Sequence, residues 1–118
     1  MKKIFLFSIF IILFLSPSAF SDRNTATTTI YSQSQLIKTG EAKIYSVSFV
    51  ATANAGYFFI LDSLTNTASG GSITNIKTEG SEATSGNGSF QDFSNKPLEF
   101  STGIYLVVSN GYVIVRHE

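Results

Sequence analysis

The chain has 118 residues, with 8 Lys or Arg against 8 Asp or Glu, a single His and no Cys. Zero net charge excludes a strongly basic nucleic-acid binder, the lack of Cys excludes a disulfide scaffold or thiolate metal site, and one imidazole leaves little for catalysis. The length allows one small domain and no second.

The N-terminus reads as a signal peptide. Lys2 and Lys3 give a positive start, Ile4 to Leu15 is apolar apart from Ser8, and Pro17 precedes Ala19-Phe20-Ser21, with small residues at the −3 and −1 positions. A membrane span needs about 20 apolar residues, so cleavage after Ser21 is expected. Residues 1–21 are then a leader and 22–118 the domain. Losing Lys2 and Lys3 leaves 6 basic residues against 8 acidic ones. The expected product is secreted or periplasmic, with no stable membrane insertion after cleavage.

From residue 22 onward Ser, Thr, Gly and Asn break the apolar residues into short runs, and no window sustains helical spacing, so an all-β domain is expected. Eight strands are predicted: Thr27 to Ile37 with a break near Gln33, Ala42 to Thr52, Tyr57 to Ser63, Ser72 to Thr78, Ser89 to Phe93, Leu98 to Ser101, Ile104 to Ser109 and Tyr112 to His117. That number in so short a chain suits a single antiparallel β-sandwich, jelly-roll-like in character. Asn110-Gly111, between two apolar strands of matched length, predicts a type I′ turn closing a terminal hairpin. Ala53-Asn54-Ala55-Gly56 predicts a longer loop, Pro97 a strand start or edge, and the small polar stretch Gly80 to Ser89 a mobile loop. An echo links Ile44-Tyr45-x-Val47 and Gly56-Tyr57 with Ile104-Tyr105-x-Val107 and Gly111-Tyr112. It reads either as two related hairpins or as like strands of like composition.

Alternation in Ala42 to Thr52 sets Tyr45, Val47, Phe49 and Ala51 on the more buried face. Tyr57 to Leu61 and the C-terminal pair of strands are apolar on both faces, whereas a sandwich buries only its inner ones. The surplus points to a subunit contact, with Tyr57, Phe59, Leu61, Tyr105, Val107, Val113 and Val115 as candidate contact residues of a homo-oligomer; the alternative is that loops or the segment from Asp22 to Lys38 cover it.

Reactive chemistry is sparse. His117 is read as a surface residue. Glu79 and Glu82 flank Gly80 in the expected loop and read as solvated. Asp62 and Asp92 lack the spacing of a calcium loop and read as turn caps. No phosphate-loop, nucleophile-elbow, zinc-protease or dinucleotide motif occurs, so no catalytic residue, metal or cofactor is assigned, and no nucleic-acid partner is expected. Asn87-Gly88-Ser89 fits a glycosylation acceptor in form only.

The order Thr39-Gly40-x-x-x-Ile44-Tyr45, Ile60-Leu61-Asp62-Ser63, Ser69-Gly70-Gly71 and Pro97-Leu98-Glu99-Phe100-Ser101-Thr102-Gly103-Ile104-Tyr105 resembles small all-β proteins of the kind encoded in tailed-phage genomes, over residues 39–115. The resemblance implies a virion-type or accessory structural sandwich and carries no catalytic assignment. The leader departs from that pattern and points to an exported relative. Two functions follow as expectations: a non-catalytic structural or self-associating module, or a module binding glycans or another cell-surface ligand through Tyr31, Tyr45, Tyr57, Tyr105 or Tyr112.

Overall fold

The computed structural model describes residues 26–67 and 74–118. The expected leader and its expected cleavage point lie outside the described residues, as do Ser69-Gly70-Gly71 and the first two residues of the strand expected from Ser72. Nine strands are formed and no helix among the described residues: β1 Thr27–Tyr31, β2 Gln35–Thr39, β3 Ala42–Ala51, β4 Gly56–Asp62, β5 Ile76–Glu82, β6 Gly88–Asp92, β7 Leu98–Phe100, β8 Gly103–Ser109 and β9 Gly111–His117. The ninth strand arises because Ser32-Gln33-Ser34 divides the first predicted strand in two.

Two antiparallel sheets pack face to face. The first runs β1-β9-β3-β6, with β7 also pairing β3, and the second runs β2-β8-β4-β5. Only β4 to β5 and β6 to β7 connect within a sheet; every other connection crosses between layers. The core is what period-two alternation selects from both layers. Val47, Phe49 and Ala51 of β3 and Val113 and Val115 of β9 meet Phe58 and Ile60 of β4 and Ile104 and Leu106 of β8, all nearly inaccessible to solvent.

Three expectations are corrected here. Asn110-Gly111 does not close a hairpin, because β8 and β9 lie in different sheets and do not pair. It is an arch in which Asn110 alone is left-handed, at φ 55°. The inner residues of β8 and β9 face each other across the layers, so paired apolar strands fit an arch as well as a ladder. The connection from β3 to β4 is likewise an arch, with Ala55 at φ 58°. The two are tied together: Thr52 N–H donates to the Asn110 carbonyl at 2.9 Å, and Asn110 Nδ2 donates to the Asn54 carbonyl at 3.3 Å. The echo in the sequence is therefore a pair of adjacent arches.

The stretch from Gly80 to Ser89 is not a continuous loop. Gly80, Ser81 and Glu82 finish β5, which lies four residues later than predicted, and β6 starts at Gly88. Gly80 belongs there because it stands opposite Phe58, whose ring would lie 2.5 Å from a Cβ at that position. Finally, a bulge between Ile44 and Ser46 interrupts the alternation of β3. Ile44 thereby joins the core, while Tyr45 leaves it to stack on Arg116, the guanidinium carbon 5.8 Å from the ring centre.

Candidate functional site

The central residues of the second sheet are apolar on both sides. Phe58, Ile60, Ile104 and Leu106 turn inward. Their neighbours Tyr57, Phe59, Leu61, Tyr105 and Val107 must turn outward, because successive side chains point to opposite faces. Cross-strand register then assembles a row across all four strands: Leu36 of β2 is paired with Tyr105 of β8, Tyr105 with Leu61 of β4, and Leu61 with Ile76 of β5. A second rank sets Val107 beside Phe59, and Tyr57 packs on Phe59 with ring centres 5.4 Å apart.

At the rim of this surface Leu36 is 40% exposed and Tyr57 and Ile76 each 39%. Phe59 and Tyr105 are half-buried, whereas Val107 and Leu61 at its centre are buried. Sequence reasoning found Tyr57, Phe59, Leu61, Tyr105 and Val107 but missed Leu36 and Ile76. Those two lie on edge strands with charged or polar neighbours, and only the register shows that they extend the row. Val113 and Val115 do not belong to it. They turn inward from β9 in the other sheet and are completely buried, because β8 and β9 part at Asn110 and present opposite faces.

The outer side of the first sheet is different in kind. Ile30 and Phe90, each 65% exposed, stand at its edges. Between them Ser48 lies beside Ile114, and the next rank pairs Ser46 with both Arg116 and Asp92. Polar groups thus interrupt these ranks, whereas on the second sheet one row is apolar across all four strands and the rank beside it ends at Glu79 opposite Phe59.

One end of the sandwich carries the most organised polar structure. Asp62, at the end of β4, accepts hydrogen bonds from the N–H groups of Ser101 (3.1 Å), Thr102 (2.8 Å) and Gly103 (3.2 Å) and from the Ser101 hydroxyl at 3.1 Å. Desolvation alone would raise its pKa, but these bonds outweigh that and hold the carboxyl below its ordinary value. Gly40 N–H donates to the Thr102 carbonyl at 2.8 Å, and Ser63 N–H to the Gly103 carbonyl at 3.1 Å. Thr39-Gly40, Asp62-Ser63 and Ser101-Thr102-Gly103 therefore meet in one knot, whose work is to join four strands. Beside it opens a cleft of about 900 Å³ lined by Lys38, Lys43 and Lys77 together with Glu41 and Glu99. Its charges mix both signs, and Asp62 on its wall is already engaged.

His117 is corrected from a surface residue to a half-buried one. Its Nε2 lies 3.3 Å from the Tyr31 hydroxyl. Burial, and then the charge of Lys38, lower its pKa. Asp92 caps its own turn through Ser94, as its spacing suggested. Glu79 lies in β5 opposite Phe59, and Glu82 ends that strand. The five tyrosines are divided between surfaces: Tyr57 and Tyr105 lie on the outer face of the second sheet, Tyr45 and Tyr112 on that of the first, and Tyr31 packs against the core. Among the described residues no three His, Cys, Asp or Glu side chains converge to hold a metal ion.

Neither a family model, a curated protein nor a solved structure matches the chain.

Proposed function

We propose that this chain is an exported, non-catalytic structural module that self-associates through the outer face of its second sheet. The observation that carries the reading is the uninterrupted apolar row from Leu36 through Tyr105 and Leu61 to Ile76, backed by Val107, Phe59 and Tyr57. Burying a Phe or Leu side chain is worth about 1.5 to 3 kcal/mol, and although Leu61 and Val107 are already buried, a second copy seated on this surface recovers part of that energy from exposed Leu36, Tyr57 and Ile76 and half-exposed Phe59 and Tyr105. The strand paths favour the jelly-roll form of the sandwich. The orders β1-β9-β3-β6 and β2-β8-β4-β5, with most connections crossing between layers, are what two interleaved Greek keys require. The resemblance to phage-type accessory or virion proteins fits this reading as a fold signature, since its Thr-Gly, Asp-Ser and Ser-Thr-Gly segments serve one structural knot.

Phe59→Lys is the test. It is expected to weaken self-association at least about 30-fold, the equivalent of about 2 kcal/mol, while circular dichroism continues to report a folded β domain. Light scattering over a concentration series reads the result. A wild-type protein that stays monomeric at high micromolar concentration would remove the reading. Loss of binding to a glycan panel with no change of mass would instead establish the carbohydrate-binding alternative. Export carries its own prediction: sequencing of the mature N-terminus should begin at Asp22, and recovery of intact Met1 in the membrane fraction would exclude cleavage.

A further inference from the structure

A sandwich has edges, and each is a template for another strand unless something blocks it. Three edges here carry such devices. On β2 a bulge lies between Leu36 and Lys38, and Lys38 adds a charge. On β5 stand Lys77, Glu79 and Glu82, with a register shift opposite Ile60 and Leu61. On the far side of β3 the edge is split between two short strands, β6 and β7, which bring Asp92 and Glu99 and are separated by Pro97.

The fourth edge, β1, has none of these. Thr27-Thr28-Thr29-Ile30-Tyr31 contains no charge and no Pro, and the uncharged sequence extends from Asn24 to Ile37. Its register with β9 is unbroken from Thr27 opposite His117 to Tyr31 opposite Val113. Thr, Ile and Tyr are strong strand formers. The strand is also held at both ends, by Thr27 Oγ1 donating to the His117 carbonyl at 3.4 Å and by the Tyr31 hydroxyl against His117 Nε2. Among the described residues β1 pairs β9 alone, and four of its five residues are exposed.

We infer that β1 pairs antiparallel with β1 of a second copy, about a twofold axis through Thr29. This register gives all five residues a partner: Thr29 faces Thr29 of the second copy, Thr28 faces Ile30, and Thr27 faces Tyr31. It preserves the pleat, since Thr28 and Ile30 share the outer face in both copies. Ile30, 65% exposed and beside Ile114, gains a cross-strand neighbour and lies diagonal to its own twin. The first sheet then runs continuously through two molecules, as an isologous contact. This contact is independent of the one on the second sheet, so the two together link each copy to two others.

The paired positions make the test specific. T28K/I30K sets two lysines opposite two lysines and is expected to weaken the edge contact about tenfold, lowering the mass in light scattering towards that of the second-sheet contact alone. T28E/I30K sets unlike charges opposite each other in the same register and is expected to keep the wild-type mass. Both positions are exposed, and circular dichroism verifies that the fold persists. An unchanged mass in T28K/I30K overturns the proposal, and so does loss of mass in both variants. Should either variant fail to fold, Thr29→Cys decides. Opposed residues lie within disulfide reach in a chain with no Cys of its own, so mild oxidation is expected to yield a covalent dimer, whereas Asn95→Cys, exposed in the turn between β6 and β7 and away from both proposed contacts, does not. Absence of the Thr29→Cys dimer overturns the proposal.

Discussion

Gly111→Val is expected to cost at least about 3 kcal/mol of stability, or to prevent folding altogether. The reason is space. A Cβ at Gly111 would fall 2.5 Å from Phe49 Cε2 and 2.6 Å from the Val50 carbonyl oxygen. The ring cannot retreat. Phe49 is completely buried and packs on Phe58 with centres 5.3 Å apart, while a Cβ at Gly56 would approach Phe49 Cζ to 3.0 Å and one at Gly80 would overlap the Phe58 ring. Three glycines from β9, β4 and β5 thus open the room that two phenylalanines fill. Gly86→Ala is the control. Gly86 has φ +89° and nothing within 4 Å of the added carbon, so its cost is limited to backbone strain of about 1 to 2 kcal/mol. Urea denaturation midpoints rank the two, and a Gly111→Val midpoint above that of Gly86→Ala would contradict this account of the core.

The same residue shows where sequence reasoning stops. Asn110-Gly111 between matched apolar strands carries a local signal for left-handed backbone, and Asn110 honours it. What no local signal conveys is whether the strands on either side pair or diverge. Nor does any local signal reveal that Gly111 lies against Phe49, 62 residues upstream, whose ring leaves no room for a Cβ there. The strands themselves were legible because alternation is a property of a few consecutive residues. Where a bulge resets it, as at Tyr45, or where an exposed edge strand offers little alternation, as in β5, the reading slipped. The proposed contact surface divides along the same line. Tyr57, Phe59 and Leu61 share one strand and were visible as a set. Leu36 and Ile76 enter only through register, and Val113 and Val115 leave it because the arch sends β9 to the other layer.

Asp62→Asn is expected to lower stability by about 2 to 3 kcal/mol at neutral pH and to flatten the acid limb of the stability curve. The carboxylate accepts three backbone N–H groups and one hydroxyl, whereas the amide turns one of its two acceptor atoms into a donor facing the N–H groups that held it. The sign of the pH effect follows from the lowered pKa. The folded value lies below the unfolded value of about 3.9, so the contribution is complete above about pH 5 and is lost as pH falls through the folded value. His117 also destabilises the fold in acid, since its folded value is lowered as well. Its loss begins higher, near its unfolded value of about 6.5, so the two groups separate on the pH axis. Thermal midpoints at pH 7, 5 and 3 should show the wild type and Asp62→Asn far apart at the first two and converging at the third. An equal gap at all three would mean that the side chain acts through shape and not through its charge. The knot that Asp62 ties fixes where β8 begins, and β8 carries Tyr105 into the proposed contact row and Val107 into the rank beside it. The proposed self-association should therefore weaken in Asp62→Asn at pH 7 even though Asp62 lies outside that row, and in the wild type it should weaken only below about pH 4.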